Sequence, residues 1–454
     1  MSPILSSGKK GSSPASLLWV QWERTLNKDR RRIILIEADS NTEWTVQALS
    51  DKAHEFLDLL DRFTRGTRIA FCLPNGAQWA AIFLALQKLG LSAVPLDAGL
   101  PDQACLEMTK NLRCRALFLR GKFHVFDNVS EDKRAFCCIK TTSGTSGGLP
   151  KTVSCRAEHL IADGANIIRT MGIRPNDRNL AAIPLGHSYG LGNFVLPLIL
   201  QGTPVVCAGH FVPRQLIDWI GLYRVTIFPS VPAIFRVLAS MPVTSRLTPL
   251  RLAISAGAPL TADVARAFFE RYHLKIHNFY GSSETGGICY DRRGDATLSG
   301  RSVGKPLEKV AVTIKRGVIK VKSAAVAKRN GRWRMPDRGE WNDQGELALL
   351  GRLDLEVNLD GKKVHPSEVE RALRAVPGIL DAIVWVGAHA ERAFLQAAVE
   401  TRLPLADVRR ALAVILPEWM LPKRFILMPE LPRNGRGKVD VAALRRKIRG
   451  QIRL

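Results

Sequence analysis

Apolar runs and helix-like spacings alternate along the chain from Ile33 onward. Residues 68–73 form an almost unbroken apolar run that stops at a Pro-Asn-Gly turn, which is typical of a buried strand. The next segment predicts one face of a helix, with apolar side chains at i, i+3, i+4 and i+7: Trp79, Ile82, Phe83 and Leu86. A second strand is predicted over 92–96. This alternation predicts an α/β fold.

Four later apolar runs each lead directly into a loop or turn segment that contains Gly, Pro or hydroxyl side chains. Residues 180–184 are followed by 185–190, 225–228 by 229–232, 250–254 by 255–259, and 276–279 by 280–287. Ligands of open α/β sheets bind beyond the carboxyl ends of the strands. We therefore expect these loops to converge, together with residues 142–151, on one cleft.

The pattern changes after residue 351 to that of a smaller α+β unit. Ser367 and Glu370 have the spacing of a capping box, which predicts the start of a helix. A strand over 379–386 and an amphipathic helix near 405–415 follow. We expect a large N-terminal multi-sheet α/β domain over 17–351 and a smaller α+β C-terminal domain over 355–454. Residues 1–16, rich in Ser, Gly, Pro and Lys, are expected to form a disordered tail.

The composition is that of a globular protein. With 454 residues and 46% hydrophobic content, the chain can bury a large core in two or three domains. Its longest apolar runs, such as 194–200, are too short to span a membrane, and the N-terminus lacks a secretory pattern, so we expect a cytoplasmic protein. The eight cysteines form no C-x-x-C pair and predict reduced core residues, with metal ligation or disulfides as the alternative.

The net charge of +25 predicts attraction to polyanions, among them nucleic acid, an anionic membrane surface, nucleotides and acidic proteins. Specific nucleic-acid recognition is disfavoured because no zinc-finger spacing or RNA-binding aromatic motif accompanies the charge. The segment 431–454 alone holds eight Lys or Arg against one Asp. A solvated terminal helix remains the alternative for this segment.

Residues 142–151 follow the apolar run 136–139 and combine glycines, four hydroxyl side chains and a lysine. Glycines allow backbone N–H groups to face a single point, so this loop suits a triphosphate. It is not a Walker A loop, because Pro150 precedes Lys151 where that motif has glycine. A flexible Ser/Gly surface linker is the alternative.

Three further residues suit chemistry at such a site. Glu284, a lone carboxylate amid Ser, Thr and Gly, suits Mg²⁺, although an acid at a helix N-terminus would have the same pattern. Lys438 on a glycine-rich loop can offer a mobile positive charge, or can belong to a solvated basic turn. His187 can be functional, or a loop histidine satisfied by backbone.

Together these stretches resemble the adenylate-forming (ANL) superfamily of acyl-CoA synthetases, carrier-protein-loading adenylation enzymes and beetle luciferases. The resemblance spans residues 33–454 in the family's order. Its most specific parts are 142–151, 280–284, 351–354 with 366–370, and 437–438.

The resemblance implies a role for each site residue. It assigns ATP phosphates to Thr142, Ser143, Gly144, Thr145, Ser146, Gly147, Lys151 and Ser283, adenine to Gly257, Ala258, Asn278 and Tyr280, and the ribose hydroxyls to Asp337 and Arg352. It also makes Glu284 the Mg²⁺ ligand, Lys438 the catalytic lysine and His187 a gate between the acyl pocket and the thiol channel. Asp354, within 352–354, matches the hinge about which a mobile C-terminal domain rotates.

The chain departs from the family's pattern in three places. Its phosphate loop carries one additional residue at 147–149. Met335 and Pro336 precede Asp337 where Thr-Gly is usual, which keeps the carboxylate but stiffens its approach. Asn358 and Asp360 replace the frequent lysine and glycine of the thioester-forming surface.

The resemblance implies an ATP-dependent acid–thiol ligase. Such an enzyme uses ATP and Mg²⁺ to activate an organic carboxylate, fatty or aryl, as an acyl-adenylate and passes the acyl group to coenzyme A. An acidic acyl carrier protein is the alternative acceptor, and the basic segment 431–454 also suits an anionic membrane surface. An inactive homologue that binds polyanions is a third interpretation.

Overall fold

The computed structural model describes residues 15–127, 136–142, 151–209, 212–242, 247–352, 357–359, 362–389, 392–434 and 439–451. Contacts divide the chain into two compact units, one built from residues up to 35 together with 43–158, the other from 36–42 together with 159–454. The expected domain boundary at 351–354 is a different division and stays a prediction. Most of the expected N-terminal tail lies outside the described residues, and Ser16 already caps the first helix.

The elements up to residue 155 are, in chain order, α1 (Leu17–Lys28), β1 (Ile33–Glu37), β2 (Thr42–Thr45), α2 (Val46–Glu55), α3 (Leu57–Leu60), β3 (Arg68–Cys72), α4 (Ala77–Lys88), β4 (Ser92–Leu96), α5 (Asp102–Asn111), β5 (Ala116–Leu119), β6 (Lys122–Val125), β7 (Cys138–Thr142) and β8 (Lys151–Cys155). The first unit contains a six-stranded sheet in the order β6-β5-β3-β4-β7-β8. The predicted strands and helix over 68–96 are confirmed, with the rings of Phe71 and Trp79 5.4 Å apart.

The predicted phosphate loop joins the two strands at one edge of this sheet. β7 and β8 pair antiparallel, with Thr142 opposite Lys151. The loop is therefore carried by a hairpin, and its residues 143–150 lie outside the described part of the chain.

The elements from residue 157 onward are α6 (Ala157–Met171), β9 (Asn179–Ala181), α7 (Ser188–Gly190), α8 (Leu196–Gln201), β10 (Val205–Cys207), α9 (Pro213–Leu222), β11 (Ile227–Ser230), α10 (Pro232–Ser240), β12 (Leu252–Ser255), α11 (Ala262–Tyr272), β13 (Ile276–Ser282), β14 (Gly286–Tyr290), α12 (Asp295–Ser299), β15 (Lys305–Pro306), β16 (Ala311–Lys315), β17 (Val318–Lys322), β18 (Arg332–Trp341), β19 (Leu347–Arg352), β20 (Val357–Leu359), β21 (Lys362–Val364), α13 (Pro366–Arg374), β22 (Ile379–His389), β23 (Arg392–Thr401), α14 (Leu405–Ile415), β24 (Arg424–Met428) and α15 (Val441–Gln451). A π-helical turn, Leu191–Val195, precedes α8, and a 3₁₀ turn, Glu418–Met420, follows α14.

The second unit contains one large sheet and several small ones. In the large sheet, strands β9 to β15 lie side by side in the order β10-β9-β11-β12-β13-β14-β15. Neighbouring strands are parallel as far as β13 and antiparallel beyond it. A four-stranded antiparallel sheet, β16-β17-β18-β19, shares one apolar core with it, including Ile254, Phe279, Ile319 and Leu347. This shared core holds β18 near the carboxyl end of β13.

The segment 276–287 folds differently from the prediction. We expected the strand to end at Phe279, but β13 continues to Ser282 and returns after a tight turn as β14. Antiparallel pairing with β14 extends the strand, because each strand supplies backbone partners for the other.

The capping-box prediction is wrong. Helix α13 begins at Pro366 with His365 as its N-cap residue, and no side chain caps it. Proline suits the first helical position because its fixed φ matches the helix and its missing N–H needs no partner. The two predicted cap residues serve other contacts: Ser367 Oγ accepts from Arg352 N–H at 3.3 Å, and Glu370 Oε1 accepts from Val384 N–H at 2.9 Å.

A buried ionic cluster connects α10 with β22 and β23. Arg236 Nη1 donates to Glu400 Oε1 at 2.8 Å, and Arg433 Nη2 donates to Glu400 Oε2 and Asp381 Oδ2, each at 2.8 Å. Burial acts to raise the pKa of Asp381, but the guanidinium groups of Arg374 and Arg433 outweigh it and hold that pKa below its usual value. The Asp381 carboxylate is therefore charged and paired.

The expectations drawn from cysteine content and hydropathy have clear outcomes. All eight cysteines are buried and free, as predicted. In the described ranges no helix combines the length and apolar character that a membrane crossing requires.

Candidate functional site

Three of the predicted loops meet at the carboxyl edge of the large sheet. The loop after β9 carries His187, and the two residues that follow it reach the neighbouring strands. Ser188 Oγ donates to Ser283 Oγ at 2.8 Å, and Tyr189 OH donates to the carbonyl of Ile254 at 2.9 Å. The structure thus brings together the histidine loop, the end of β12 and the turn after β13, as the strand pattern predicted.

One residue assigned to adenine, Tyr280, contacts the pair assigned to the ribose hydroxyls. Tyr280 OH donates to Asp337 Oδ2 at 2.6 Å, and Asp337 lies opposite Arg352 in the β18–β19 pair. Burial raises the pKa of the Tyr280 phenol, and the adjacent Asp337 carboxylate raises it further. The phenol therefore stays protonated and remains a donor to Asp337 at neutral pH.

Register across the sheet places three polar side chains in one row. Ser230 on β11 lies beside Ser255 on β12, which lies beside Asn278 on β13. Both serine hydroxyls are buried and have no hydrogen-bond partner among the described residues. A buried hydroxyl without a partner is uncommon, so the end of this row suits a polar group of a ligand. Neither serine was singled out from the sequence.

Gly257 and Ala258 follow β12 directly. Gly257 is exposed and has a φ of +87°, a left-handed conformation that favours glycine. This conformation lets the chain turn at the end of β12, next to the row that ends in Asn278. Asn278 is held through its backbone, since its N–H donates to Thr297 Oγ1 at 2.9 Å.

Glu284 lies in the tight turn between β13 and β14 and is partly buried. Its carbonyl accepts from Ala327 N–H at 2.8 Å, which fixes the turn against the segment after β17. The neighbouring side chains Ser282, Ser283 and Thr285 offer only oxygen atoms, the donors that Mg²⁺ prefers. The described residues contain no group of three or more His, Cys, Asp or Glu side chains suited to a metal. A single carboxylate nevertheless fits Mg²⁺, which typically binds one or two carboxylates together with substrate phosphates.

Asp163 accepts a hydrogen bond from the backbone at the end of this turn. It was not identified from the sequence. It is buried on α6, and its Oδ1 accepts from Gly287 N–H at 2.9 Å. A side chain at Gly286, whose φ is +69°, would overlap the Asp163 carboxylate. The sequence signal that could have identified Asp163 is an acidic residue on the apolar face of an amphipathic helix; Asn166 is also buried on this helix.

Several predicted residues cannot be compared with this geometry. Ser143, Gly144, Thr145, Ser146, Gly147, Asp354 and Lys438 lie outside the described residues. Thr142 and Lys151 are paired in the β7–β8 hairpin of the first unit. Arg433 and Val439, on either side of the segment that contains Lys438, form an antiparallel bridge. The roles assigned to all of these residues stay predictions.

A family model described as AMP-binding enzyme matches residues 22–135 and 122–317 of the chain. Among curated relatives, a feruloyl-CoA synthase of Amycolatopsis sp is 27% identical, over 84% of this chain and 89% of the relative. A 3,4-dihydroxybenzoate–[aryl-carrier protein] ligase of Bacillus anthracis is 23% identical, over 83% of this chain and 90% of that protein.

Solved structures resemble the whole chain. The crystal structure of ATP-bound MatB from Rhodopseudomonas palustris superposes with a TM-score of 0.82 at 21% identity, covering 95% of this chain and 99% of that one. This likeness shows the fold, and it confirms the predicted α/β class with several sheets.

Proposed function

Because the chain belongs to the AMP-binding enzyme family of adenylate-forming ligases, we propose that it is an ATP-dependent acid–thiol ligase that makes acyl-coenzyme A thioesters. The observation that carries the proposal is the group formed by Tyr280, Asp337 and Arg352 beside the turn that holds Ser283 and Glu284. Asp337 and Arg352 lie opposite each other in the β18–β19 pair, and a carboxylate and a guanidinium suit the hydroxyls of a ribose, while the turn suits phosphates. The feruloyl-CoA synthase and the aryl-carrier ligase among the relatives support an organic acid as substrate.

The reaction has two steps. A carboxylate oxygen of the acid attacks the α-phosphorus of ATP, the bond to the β-phosphate breaks, and pyrophosphate leaves. The thiolate of coenzyme A then attacks the acyl carbon, and AMP leaves with the electrons of the acyl–oxygen bond. The first step is needed because a free carboxylate is a poor electrophile, whereas AMP is a good leaving group.

The chain's own residues bind and orient the nucleotide in this proposal. Asp337, held by Tyr280, accepts hydrogen bonds from the ribose hydroxyls, while Arg352 lies beside it. Lys438 neutralises the charge that develops between the attacking carboxylate and the α-phosphate. His187 acts as a gate between the acyl pocket and the thiol channel. Mg²⁺ held by Glu284 would supply positive charge at the phosphates.

The test of the first step is ATP–pyrophosphate exchange across a panel of alkyl and aryl acids. We expect exchange that depends on one class of acid. Lys438→Ala should lower its rate by orders of magnitude with little change in ATP affinity, because the lysine stabilises charge that appears only in the transition state. Lys447→Ala, an exposed lysine of α15, is the matched control. Unchanged exchange in Lys438→Ala would remove that lysine from the mechanism.

An acyl carrier protein is the second candidate acceptor. The net charge of +25 favours an acidic protein surface, and one of the relatives loads an aryl-carrier protein. We rank coenzyme A first and expect saturable thioester formation with coenzyme A alone at low salt. If only a carrier protein bearing phosphopantetheine is acylated, and added salt slows the reaction steeply, coenzyme A is the wrong acceptor.

An inactive homologue that binds polyanions is the remaining alternative. The presence of Glu284, Asp337, Arg352 and Lys438 together argues against it. Absence of exchange with every acid, combined with tight binding of DNA or anionic liposomes, would favour this alternative.

A further inference from the structure

One surface of the second unit is built from a segment that carries many basic side chains and no acidic ones. Residues 309–334 contain nine Lys or Arg and no Asp or Glu. Across the β17–β18 pair, Lys322 lies opposite Arg332 and Lys320 lies opposite Arg334, and all four are exposed. Like charges directly opposite each other destabilise a sheet. Two successive pairs of this kind therefore have a cost that a bound anion would relieve.

A pocket of about 660 Å³ opens at one end of this surface. Three of its lining residues are the exposed cations Lys309, Lys322 and Arg329, and Ser323 and Asn330 add polar groups. Over the ranges that the structure describes, none of the three cations forms an ion pair. Glu308, the acid nearest to them in sequence, is engaged with Arg169, with 3.4 Å between Nε and Oε2. We call this site the basic pocket.

The loop that forms one wall of the basic pocket is held by its own hydrogen bonds. Ser323 N–H donates to the carbonyl of Gly331 at 3.0 Å, and Arg332 N–H donates to Asn330 Oδ1 at 3.1 Å. The same loop is fixed at Ala327, whose N–H donates to the carbonyl of Glu284. A wall that is already ordered loses little conformational entropy when a ligand binds.

We propose that the basic pocket binds a diphosphate group. Three cations that form no ion pair with other described residues can offset the negative charge of two linked phosphates, and the volume lies within the range of small-molecule sites. None of its lining residues is among those assigned to ATP, so this is a second anion site. The diphosphate can come from free pyrophosphate or from the diphosphate of coenzyme A. Binding of a diphosphate at this site does not require the proposed reaction, so it can be measured without turnover.

The test is isothermal titration calorimetry at low salt on the full chain saturated with α,β-methylene-ATP. Separate titrations use inorganic pyrophosphate, coenzyme A and pantetheine, which lacks phosphate. The double variant Lys309→Gln/Arg329→Gln removes two cations from the basic pocket. Lys315→Gln/Arg316→Gln, at the β16–β17 turn, removes the same charge from the same basic segment outside it. Thermal unfolding checks that both variants fold.

We expect pyrophosphate or coenzyme A to bind the wild type, and the pocket variant to bind at least about tenfold more weakly, because each lost contact is a hydrogen bond to a charged group. The control variant should bind almost as the wild type does. Coenzyme A binding without pantetheine binding identifies the thiol substrate as the source of the diphosphate, and pyrophosphate binding alone identifies the free anion. No binding of either compound, or equal weakening in both variants, overturns the proposal. Failure of ATP–pyrophosphate exchange with pocket binding intact counts only against the proposed reaction.

Discussion

Replacing Tyr280 by phenylalanine removes one hydroxyl and tests how the predicted ribose site is built. The hydroxyl donates to Asp337 Oδ2 at 2.6 Å, and it is the donor that orients this carboxylate from β13. A hydrogen bond to a charged group contributes about 1.5–3 kcal/mol. Tyr280 is only partly buried, so water can replace some of that contribution, and we take the lower end. About 1.5 kcal/mol corresponds to a roughly tenfold rise in the KM for ATP.

The kcat should change little in this variant, because Asp337 is proposed to contact a part of ATP that does not react. The assay is initial-rate ATP–pyrophosphate exchange at varied ATP, supported by direct calorimetric binding of ATP. Tyr290→Phe is the matched control, since Tyr290 is a buried tyrosine on the adjacent strand, stacked on His277. An unchanged KM in Tyr280→Phe would refute the reasoning, as would an equal rise in the control.

Three further changes test the supports of the site and of the C-terminal part. Gly286→Ala should abolish most exchange activity and lower the melting temperature, because the new methyl group overlaps the Asp163 carboxylate and strains a left-handed φ. Arg236→Met should lower the free energy of unfolding in urea by about 1–3 kcal/mol, since it leaves the buried Glu400 with Arg433 as its remaining partner. Asp381→Asn should make the free energy of unfolding fall less steeply as the pH is lowered into the acid range. The pKa of Asp381 is lowered in the folded state, so its contribution is present above the usual pKa near 4 and is lost as pH falls through the lowered value.

Matched variants separate these effects from general damage. Gly172 has a φ of +60° with open space around it, so Gly172→Ala carries the backbone strain without the overlap. Arg214→Met removes an exposed arginine paired with Asp218, and Asp407→Asn removes an exposed carboxylate. Equal losses in Gly286→Ala and Gly172→Ala would assign the effect to strain alone. If Arg236→Met and Arg214→Met lower the free energy of unfolding equally, the buried cluster does not stabilise the fold more than a surface ion pair does. If stability falls with acid in Asp381→Asn as it does in the wild type, the Asp381 carboxylate does not cause that fall.

The elements that agreed with prediction are those whose signal lies within a few residues. The strand over 68–73 follows from its apolar run and the turn after it, and the next helix follows from the spacing of its apolar side chains; both signals lie within a few consecutive residues. Helix 405–415 matches α14 for the same reason. Three of the polar loops after strands also met as expected, because parallel strands present their carboxyl ends at one edge.

The two predictions that were wrong, the capping box and the end of the strand at Phe279, concern segments whose contacts lie elsewhere in the chain. Ser367 has the spacing of a cap, yet its hydroxyl accepts from Arg352 N–H in another element, and the proline before it starts the helix. The strand that was expected to end at Phe279 continues because β14 returns beside it. Neither contact leaves a local trace in the sequence.

Motif order and residue type were enough to assign this chain to the family of adenylate-forming ligases, since a phosphate loop and a Tyr-Gly-Ser-Ser-Glu segment are each written in consecutive residues. Only the folded chain brings Tyr280 to Asp337 and Asp163 to Gly287, pairs separated by 57 and 124 residues. The register of β17 on β18 likewise places lysine opposite arginine twice. Hydrogen bonds and charges act over a few ångströms in space, whatever the distance along the chain, so these contacts are decided by tertiary packing.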